Sequence, residues 1–228
     1  MTDVTVPGRY AIIPTRDRPT DLAALVDELH LQGATVVVVD NGSSPPAAPP
    51  EAHGGGACTV IIDSEQPPNL SRLWNLALDE VEAQAHLRGL TAWDVGVFND
   101  DTVIPAGWFD AVTATLRTSG AAAACSDAYG ILTTKTMKLA PDRDVLTRMC
   151  PWAFVVRGEL GWRADETLRW WYGDTDADWA FRHLGGVAII PGYRAGNTCA
   201  NSTTVGALAE QAGRDRETFR LKHGWVPW

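Results

Sequence analysis

No stretch of these 228 residues approaches the roughly 18 consecutive apolar residues of a membrane-spanning helix, and no lysine-arginine run is long enough to form a basic stripe. The first absence excludes a transmembrane segment. The second, with a net charge of −9 from 28 acidic and 19 basic residues, excludes an extended nucleic-acid footprint. The four cysteines, Cys58, Cys125, Cys150 and Cys199, lack the paired short spacing of a zinc site, and two of them lie in apolar surroundings that suit buried free thiols. That usage points to a reducing compartment. Near the amino terminus, Asp3 and Arg9 flank a short apolar run where a signal peptide would differ, so a soluble, cytoplasmic protein is expected. No G-x-G-x-x-G follows any strand-like run, which disfavours a nicotinamide dehydrogenase. Pro14-Thr15-Arg16-Asp17 lacks the glycines that a nucleotidyltransferase loop would want. Nor does any Ser/His/Asp or Cys/His arrangement ask for a covalent nucleophile.

What is present is an α/β pattern, with 45% hydrophobic residues, ample for a core, and a length that favours one domain. Tyr10 to Ile13 is a short apolar run stopped by Pro14; Thr20-Asp21 then opens a helical pattern through Leu22, Leu25, Val26 and Leu29, closed by Gly33. Thr35 to Val39 is a continuous β-branched run, the mark of a strand buried on both faces, and it ends on Asp40-Asn41-Gly42-Ser43. Together these form a β-α-β unit. A Pro/Gly/Ala-rich loop between Gly42 and Gly56 leads to a third strand at Thr59 to Ile62. A helix follows from about Leu70 to Leu87, capped by Asn69 or Ser71, with Asn69, Arg72 and Asn75 on one face of its first turn. A helix amino terminus suits a phosphate there; capping with an exposed arginine is the plainer alternative.

The centre of the pattern is Trp93 to Thr102, where six strand-like residues run directly into Asn99-Asp100-Asp101. Open α/β sheets bind ligands beyond the carboxyl ends of their strands, and adjacent carboxylates repel unless a divalent cation stands between them and a polyphosphate. The alternative is a solvated turn in which Asp101 caps a helix near Gly107 to Leu116. Further strands are expected at Ala121 to Cys125, Trp152 to Val156 and Val187 to Ile190, with an irregular stretch from Ser126 to Pro151. Between them, Leu168 to Arg182 sets Asp174, Asp176 and Asp178 beside five aromatic residues. A helix starting near Thr175 would place one of these acids where the dipole favours the ionised form that a general base needs. Asp174 as a plain helix cap beside a tryptophan core is the other reading. Ser202 or Thr203 opens a polar helical region that reaches Lys222-His223-Gly224-Trp225.

In combination these motifs resemble the family 2 nucleotide-sugar glycosyltransferases. Ile13 to Pro19 resembles the family's opening, Val38 to Ser43 its second strand end, Phe98 to Thr102 its metal-binding Asp-x-Asp, and Asp176-Ala177-Asp178 with Arg182 its acidic motif. Asn69 to Asn75 is similar to the helix start after the third strand, and Trp152 to Gly161 to the strand before the acceptor site. The resemblance implies a GT-A, Rossmann-like fold, a mixed, mainly parallel sheet between helices, with a nucleotide half to about residue 102 and an acceptor half beyond it. It implies an inverting transfer from a nucleotide-diphosphate sugar, with UDP expected as the nucleotide, to an acceptor hydroxyl on a glycan, protein or small molecule. Pro14, Thr15, Asp17 and Asp40 would serve the base and ribose, and Asn69 and Arg72 the diphosphate. Asn99 would lie against the nucleotide-sugar, and Asp100 would contact the ribose, or the metal through water. Asp101, joined by His223, would hold Mn²⁺ or Mg²⁺. Asp176 is the expected catalytic base and Asp174 the second candidate, because the acid just before the family's first aspartate is displaced here to Asp174. A GT-A-like nucleotidyltransferase and a non-catalytic carbohydrate-binding protein that uses its tryptophans as sugar platforms are the competing readings.

Overall fold

Four consecutive valines in Thr35–Asp40 can be sheltered only inside a sheet covered on both faces. The computed structural model, which describes residues 7–48, 56–140, 148–198 and 206–226, buries all four. This strand, β2, runs parallel to β1 (Gly8–Thr15) on one side and to β3 (Cys58–Ile62) on the other. The first helix, α1 (Pro19–Leu31), buries Leu22, Leu25, Val26 and Leu29, the stripe expected from their spacing. The second, α2 (Leu70–Leu87), packs across β1 and β2 and leads into β4 (Trp93–Phe98), whose six residues are all buried. Strand β4 pairs in parallel with the free side of β1. The chain therefore moves outward from β1 through β2 to β3 and returns to lie on β1's other flank. That reversal opens a crevice at the carboxyl ends of β1 and β4.

The rest of the chain extends the sheet. A two-residue strand, β5 (Thr102–Val103), and α3 (Trp108–Ser119) lead to β6 (Ala123–Ser126), β7 (Thr136–Lys138) and β8 (Ala153–Arg157). After α4 (Gly173–His183) come β9 (Val187–Ile190), β10 (Gly196–Asn197) and α5 (Gly206–His223). The eight-stranded sheet has the order β3-β2-β1-β4-β8-β6-β9-β7, in which only β8 and β7 run against the others. A short antiparallel pair, β5 with β10, stands apart from it.

Several boundaries differ from the sequence reading for identifiable reasons. Strand β1 continues through Pro14 because its pairing with β4 ends at Ile12, so beyond that point a missing N–H costs no bond on that side. Helix α3 takes Gly107, at φ 74°, as its N-cap, and Asp101 has a different role. Helix α4 starts at Gly173, ahead of Thr175, behind Tyr172 in the left-handed region at φ 65°. Strand β7 lies within the stretch read as irregular; it carries no apolar alternation and is held only by the edge of β9. Cys199 and the Ser202/Thr203 helix start lie outside the described residues.

Gly96 in β4 marks the tightest packing below the crevice. A Cβ there would collide with the Phe98 ring and lie 3.0 Å from Phe109, and Phe98 also packs on Trp108 at a centroid distance of 5.3 Å. Gly96→Val should cost about 1–3 kcal/mol through overpacking. The expected readout is a lower denaturant midpoint with an unchanged m-value; an unaltered midpoint would show that the aromatic layer yields freely.

Candidate active site

A cleft of about 1030 Å³ opens at the reversal point. Its near wall is made by the carboxyl ends of β1 and β4, which contribute Pro14, Thr15, Asn99, Asp100 and Asp101, together with Arg16 and Arg18 from the loop after β1. The turn beyond β4 is fixed by backbone bonds: Asn99 N–H donates to the Trp152 carbonyl at 3.1 Å, and Thr198 N–H donates to the Asp101 carbonyl at 2.9 Å. Thr15 Oγ1 donates to Asp100 Oδ2 at 2.9 Å. The Arg18 guanidinium bridges the two acids, 3.3 Å from Asp100 Oδ1 and 2.9 Å from Asp101 Oδ2. Burial pushes the Asp100 carboxyl up; Thr15 and Arg18 pull against that, and neighbouring Asp101 adds to it. Two carboxylates thus converge on one positive charge at the mouth of the sheet. That donor set fits an ion of the Mg²⁺ or Mn²⁺ kind, which is held by one or two carboxylates and completed by substrate phosphates. Among the described residues, no group of three His, Cys, Asp or Glu side chains converges as a metal cage.

The far wall is built by the segment leading into α4. Trp170, Trp171, Tyr172 and Asp174 line it, with Arg148 and Met149 held against the same helix. Asp174 is half-buried in the first helical turn. Desolvation pushes its carboxyl up, and the Arg148 guanidinium and the N–H groups of the helix start work against that. Arg148 also donates to Thr175 Oγ1 at 2.9 Å, which fixes the arginine against the same turn. The three alternating acids separate into three environments. Asp178, deeper in the helix, pairs with Arg182 at 2.9 Å and accepts from Met149 N–H at 3.3 Å. Asp176, the carboxylate favoured from the sequence, lies on another side of the turn. It is bound by Lys222 at 2.8 Å and His223 at 2.7 Å, and it is not among the residues lining the cleft. His223 is likewise engaged by Asp176 and stacked on Trp179 at 4.7 Å, and so is not brought to Asp101.

The remaining nucleotide-side residues organise the loops around the cleft. Asp40 is fully buried and accepts from Ser43 N–H, Ser43 Oγ and Ala47 N–H at 2.9, 2.6 and 2.8 Å; burial raises its carboxyl, but these bonds outweigh it and hold the group below its ordinary range. Asp17, at φ 56°, accepts from Ser44 N–H at 2.8 Å and ties the loop after β1 to the loop after β2. Asn69 caps α2 by accepting from Arg72 N–H at 3.2 Å and donates to the Glu166 carbonyl at 3.1 Å. Asn75 donates to the Ala164 carbonyl at 3.0 Å, so this face of α2 is taken up in holding the segment before α4. Arg72 pairs with Glu65 at 2.8 Å, and Arg169 reaches the other oxygen of Glu65 at 2.8 Å. Asp17, Asp40, Asn69 and Arg72 are thus absent from the residues lining the cleft, and support its rim instead. Arg18, Arg148 and Glu65 escaped the sequence reading because single charged residues in loops have no periodicity to mark them.

No protein-family model matches the chain, and no curated protein sequence does. Solved structures do. S. aureus TarS 1–349 in complex with UDP-GlcNAc superposes with a TM-score of 0.64 at 11% identity, over 94% of this chain and 66% of that one. The complex of the same TarS segment with UDP gives 0.61 at 11% identity, over 96% and 72%. The chain spans 59% of another TarS 1–349 structure and 36% of a longer TarS chain. Likeness at this identity carries the fold, and the fold is GT-A glycosyltransferase-like.

Helix α5 closes the far wall from behind. Gln211, Asp215, Phe219 and His223, four residues apart, lie on one stripe. Asp215, fully buried, accepts from the N–H groups of Arg169, Trp170 and Trp171 at 3.2, 2.7 and 2.8 Å, and Phe219 packs with Leu168, Tyr172 and Trp225. Lys222 adds ion pairs to Asp165 at 2.7 Å and to Asp176. Burial raises the Asp165 carboxyl, but the Lys222 and Thr167 hydrogen bonds win and hold it at about 2, below the ordinary 3.8. A depressed carboxylate stabilises above its ordinary value, and that contribution is lost as pH falls through the folded value. The α5 contact should therefore weaken between pH 3.8 and about 2. Acid titration of tryptophan emission, from Trp179 and Trp225 at this contact, should show Lys222→Met loosening at higher pH than the wild-type chain. Superimposable titrations would rule out the tether.

Proposed function

We propose that the chain is an inverting glycosyltransferase that moves a sugar from a nucleotide-diphosphate sugar to an acceptor hydroxyl, with UDP as the nucleotide and a divalent ion at Asp101 and Asp100. The observation that carries this reading is that one cleft holds both a carboxylate pair at a strand end and, beside an aromatic run, the desolvated carboxylate of Asp174, whose neighbour Asp178 is already paired with Arg182. The two halves of a sugar transfer need those two environments. The departing nucleoside diphosphate develops negative charge, which must be neutralised at one end. The attacking hydroxyl must lose its proton at the other. The Mg²⁺ or Mn²⁺ ion, when bound, supplies Lewis-acid stabilisation of the leaving diphosphate. The UDP-GlcNAc and UDP complexes of the similarly folded S. aureus TarS support the choice of nucleotide.

Asp174 is the base in this proposal. Its carboxylate accepts the acceptor's proton as the hydroxyl oxygen bonds to the anomeric carbon and the bond from that carbon to the diphosphate oxygen breaks. Direct displacement inverts the anomeric centre, and no covalent intermediate is needed. A raised carboxyl is better matched to proton transfer near neutral pH than an unperturbed one. The Arg148 guanidinium pulls against that rise. The indoles of Trp170 and Trp171 offer flat apolar faces to a sugar ring, and Trp152, bonded to the turn after β4, lines the same cleft.

Two measurements test this. Thermal shift against UDP-, GDP-, dTDP- and CDP-sugars, with and without Mn²⁺, should select a UDP-sugar that raises the melting temperature by mass action. With that donor, Asp174→Asn should lower kcat by roughly a hundred- to ten-thousand-fold and leave UDP affinity unchanged. Asp176→Asn should weaken the α5 contact and keep most of the turnover. If Asp176→Asn loses turnover and Asp174→Asn keeps it, the base is the other carboxylate; sugar binding without release of UDP by any variant would favour a carbohydrate-binding protein.

A further inference from the structure

Arg18 occupies an unusual position. It is the last residue before α1, its side chain is 27% exposed, and its guanidinium bridges Asp100 and Asp101, whose side chains are 13% and 11% exposed. Adjacent carboxylates this sheltered repel each other strongly, and a cation between them relieves the repulsion. In this chain a side chain provides that cation. Asp100 has a second anchor in Thr15 Oγ1, so the geometry of the pair does not depend on Arg18 alone. Arg18 also lines the cleft, and a guanidinium is a planar multi-donor group suited to phosphate oxygens.

We propose that Arg18 is an internal counter-cation that competes with the divalent ion for Asp100 and Asp101, and that it turns to the diphosphate once the ion has displaced it. This rests on the glycosyltransferase reading above. The reason is charge balance. A divalent ion arriving alone meets a carboxylate pair already paired with a positive charge and must displace the guanidinium from both carboxylates. An ion arriving with a nucleoside diphosphate brings the negative groups that accept the guanidinium. Metal and nucleotide should therefore bind together strongly and the metal alone weakly, with Arg18 as the residue that couples them.

The test is Mn²⁺ binding itself, read by the loss of the free-ion paramagnetic resonance signal and by calorimetry, in the wild-type chain, Arg18→Gln and Arg18→Lys. Without nucleotide, Arg18→Gln should bind Mn²⁺ at least ten-fold more tightly than wild type, and Arg18→Lys should fall between them. With UDP added, the advantage should disappear or reverse, because the variant lacks the phosphate ligand. A merely structural role predicts no gain in affinity, since damage to the fold does not tighten a site; a melting curve of each variant confirms folding. Asp101→Asn should abolish Mn²⁺ binding in both the wild-type and Arg18→Gln backgrounds. Equal or weaker Mn²⁺ binding by Arg18→Gln overturns the proposal, as does tighter binding that survives Asp101→Asn. If UDP binds while Mn²⁺ binds to no variant, the competition fails and the nucleotide reading stands. If Arg18→Gln gains Mn²⁺ affinity but UDP binds to none of the chains, the competition holds and the nucleotide reading fails.

Discussion

Asp100 and Asp101 follow directly on a strand that is buried along its whole length, so two negative charges are delivered to the edge of an apolar core where water can solvate them only in part. Two like charges so placed need a cation, and much of the surrounding structure supplies or supports one. Arg18 supplies the charge, and Thr15 at the end of the neighbouring strand holds one carboxylate in place. The backbone bonds from Asn99 to Trp152 and from Thr198 to Asp101 fix the turn against segments from the second half of the chain. A carboxylate pair could not be held so near the core by a loop alone. The sheet end makes it rigid, and the reversal in strand order leaves open space in front of it.

The second requirement is that one acid be kept apart from its neighbours. Asp174, Asp176 and Asp178 alternate in sequence, yet the start of α4 sends them to a cleft wall, an ion cluster and a buried pair. Asp178 with Arg182 fixes the helix to the Met149 backbone, and Asp176 with Lys222 and His223 fixes it to α5. Asp174 is raised chiefly by desolvation and further by Asp178, and lowered by Arg148 and the N–H groups of the helix start. Ion pairs thus hold Asp176 and Asp178, while Asp174 faces the cleft with Arg148 as its nearest opposing charge.

Much of the sheet was legible because buried strands and helices write themselves as apolar runs and stripes. The Leu70–Leu87 helix and the Val187–Ile190 strand agree with the sequence reading to the residue, and the central strand ends at Phe98, directly before Asn99-Asp100-Asp101, as expected. What could not be read was which way a polar residue faces once its neighbours compete for partners. The register among three alternating acids turned on the start of α4 behind Tyr172 in a left-handed conformation, which no apolar period signals. Asn69, Arg72 and Asn75 do share a face, but that face is consumed by the Glu65 and Ala164–Glu166 segments that come to it from elsewhere in the chain.

Helix α5 shows the same limit from the other direction. Read as a sequence it is polar throughout, and its buried stripe holds Gln211 and Asp215 as well as Phe219. An apolar period could not predict that docking face, because a carboxylate provides its centre. Asp215 satisfies three successive backbone N–H groups, and Gln211 Nε2 at 2.7 Å gives it a fourth donor. Burying a charge is tolerable when its hydrogen-bonding capacity is filled in this way, and costly when any donor is withdrawn. The consequence reaches the cleft. The backbone that Asp215 grips carries Trp170 and Trp171, so a residue that touches no substrate sets where the aromatic wall stands relative to Asp174.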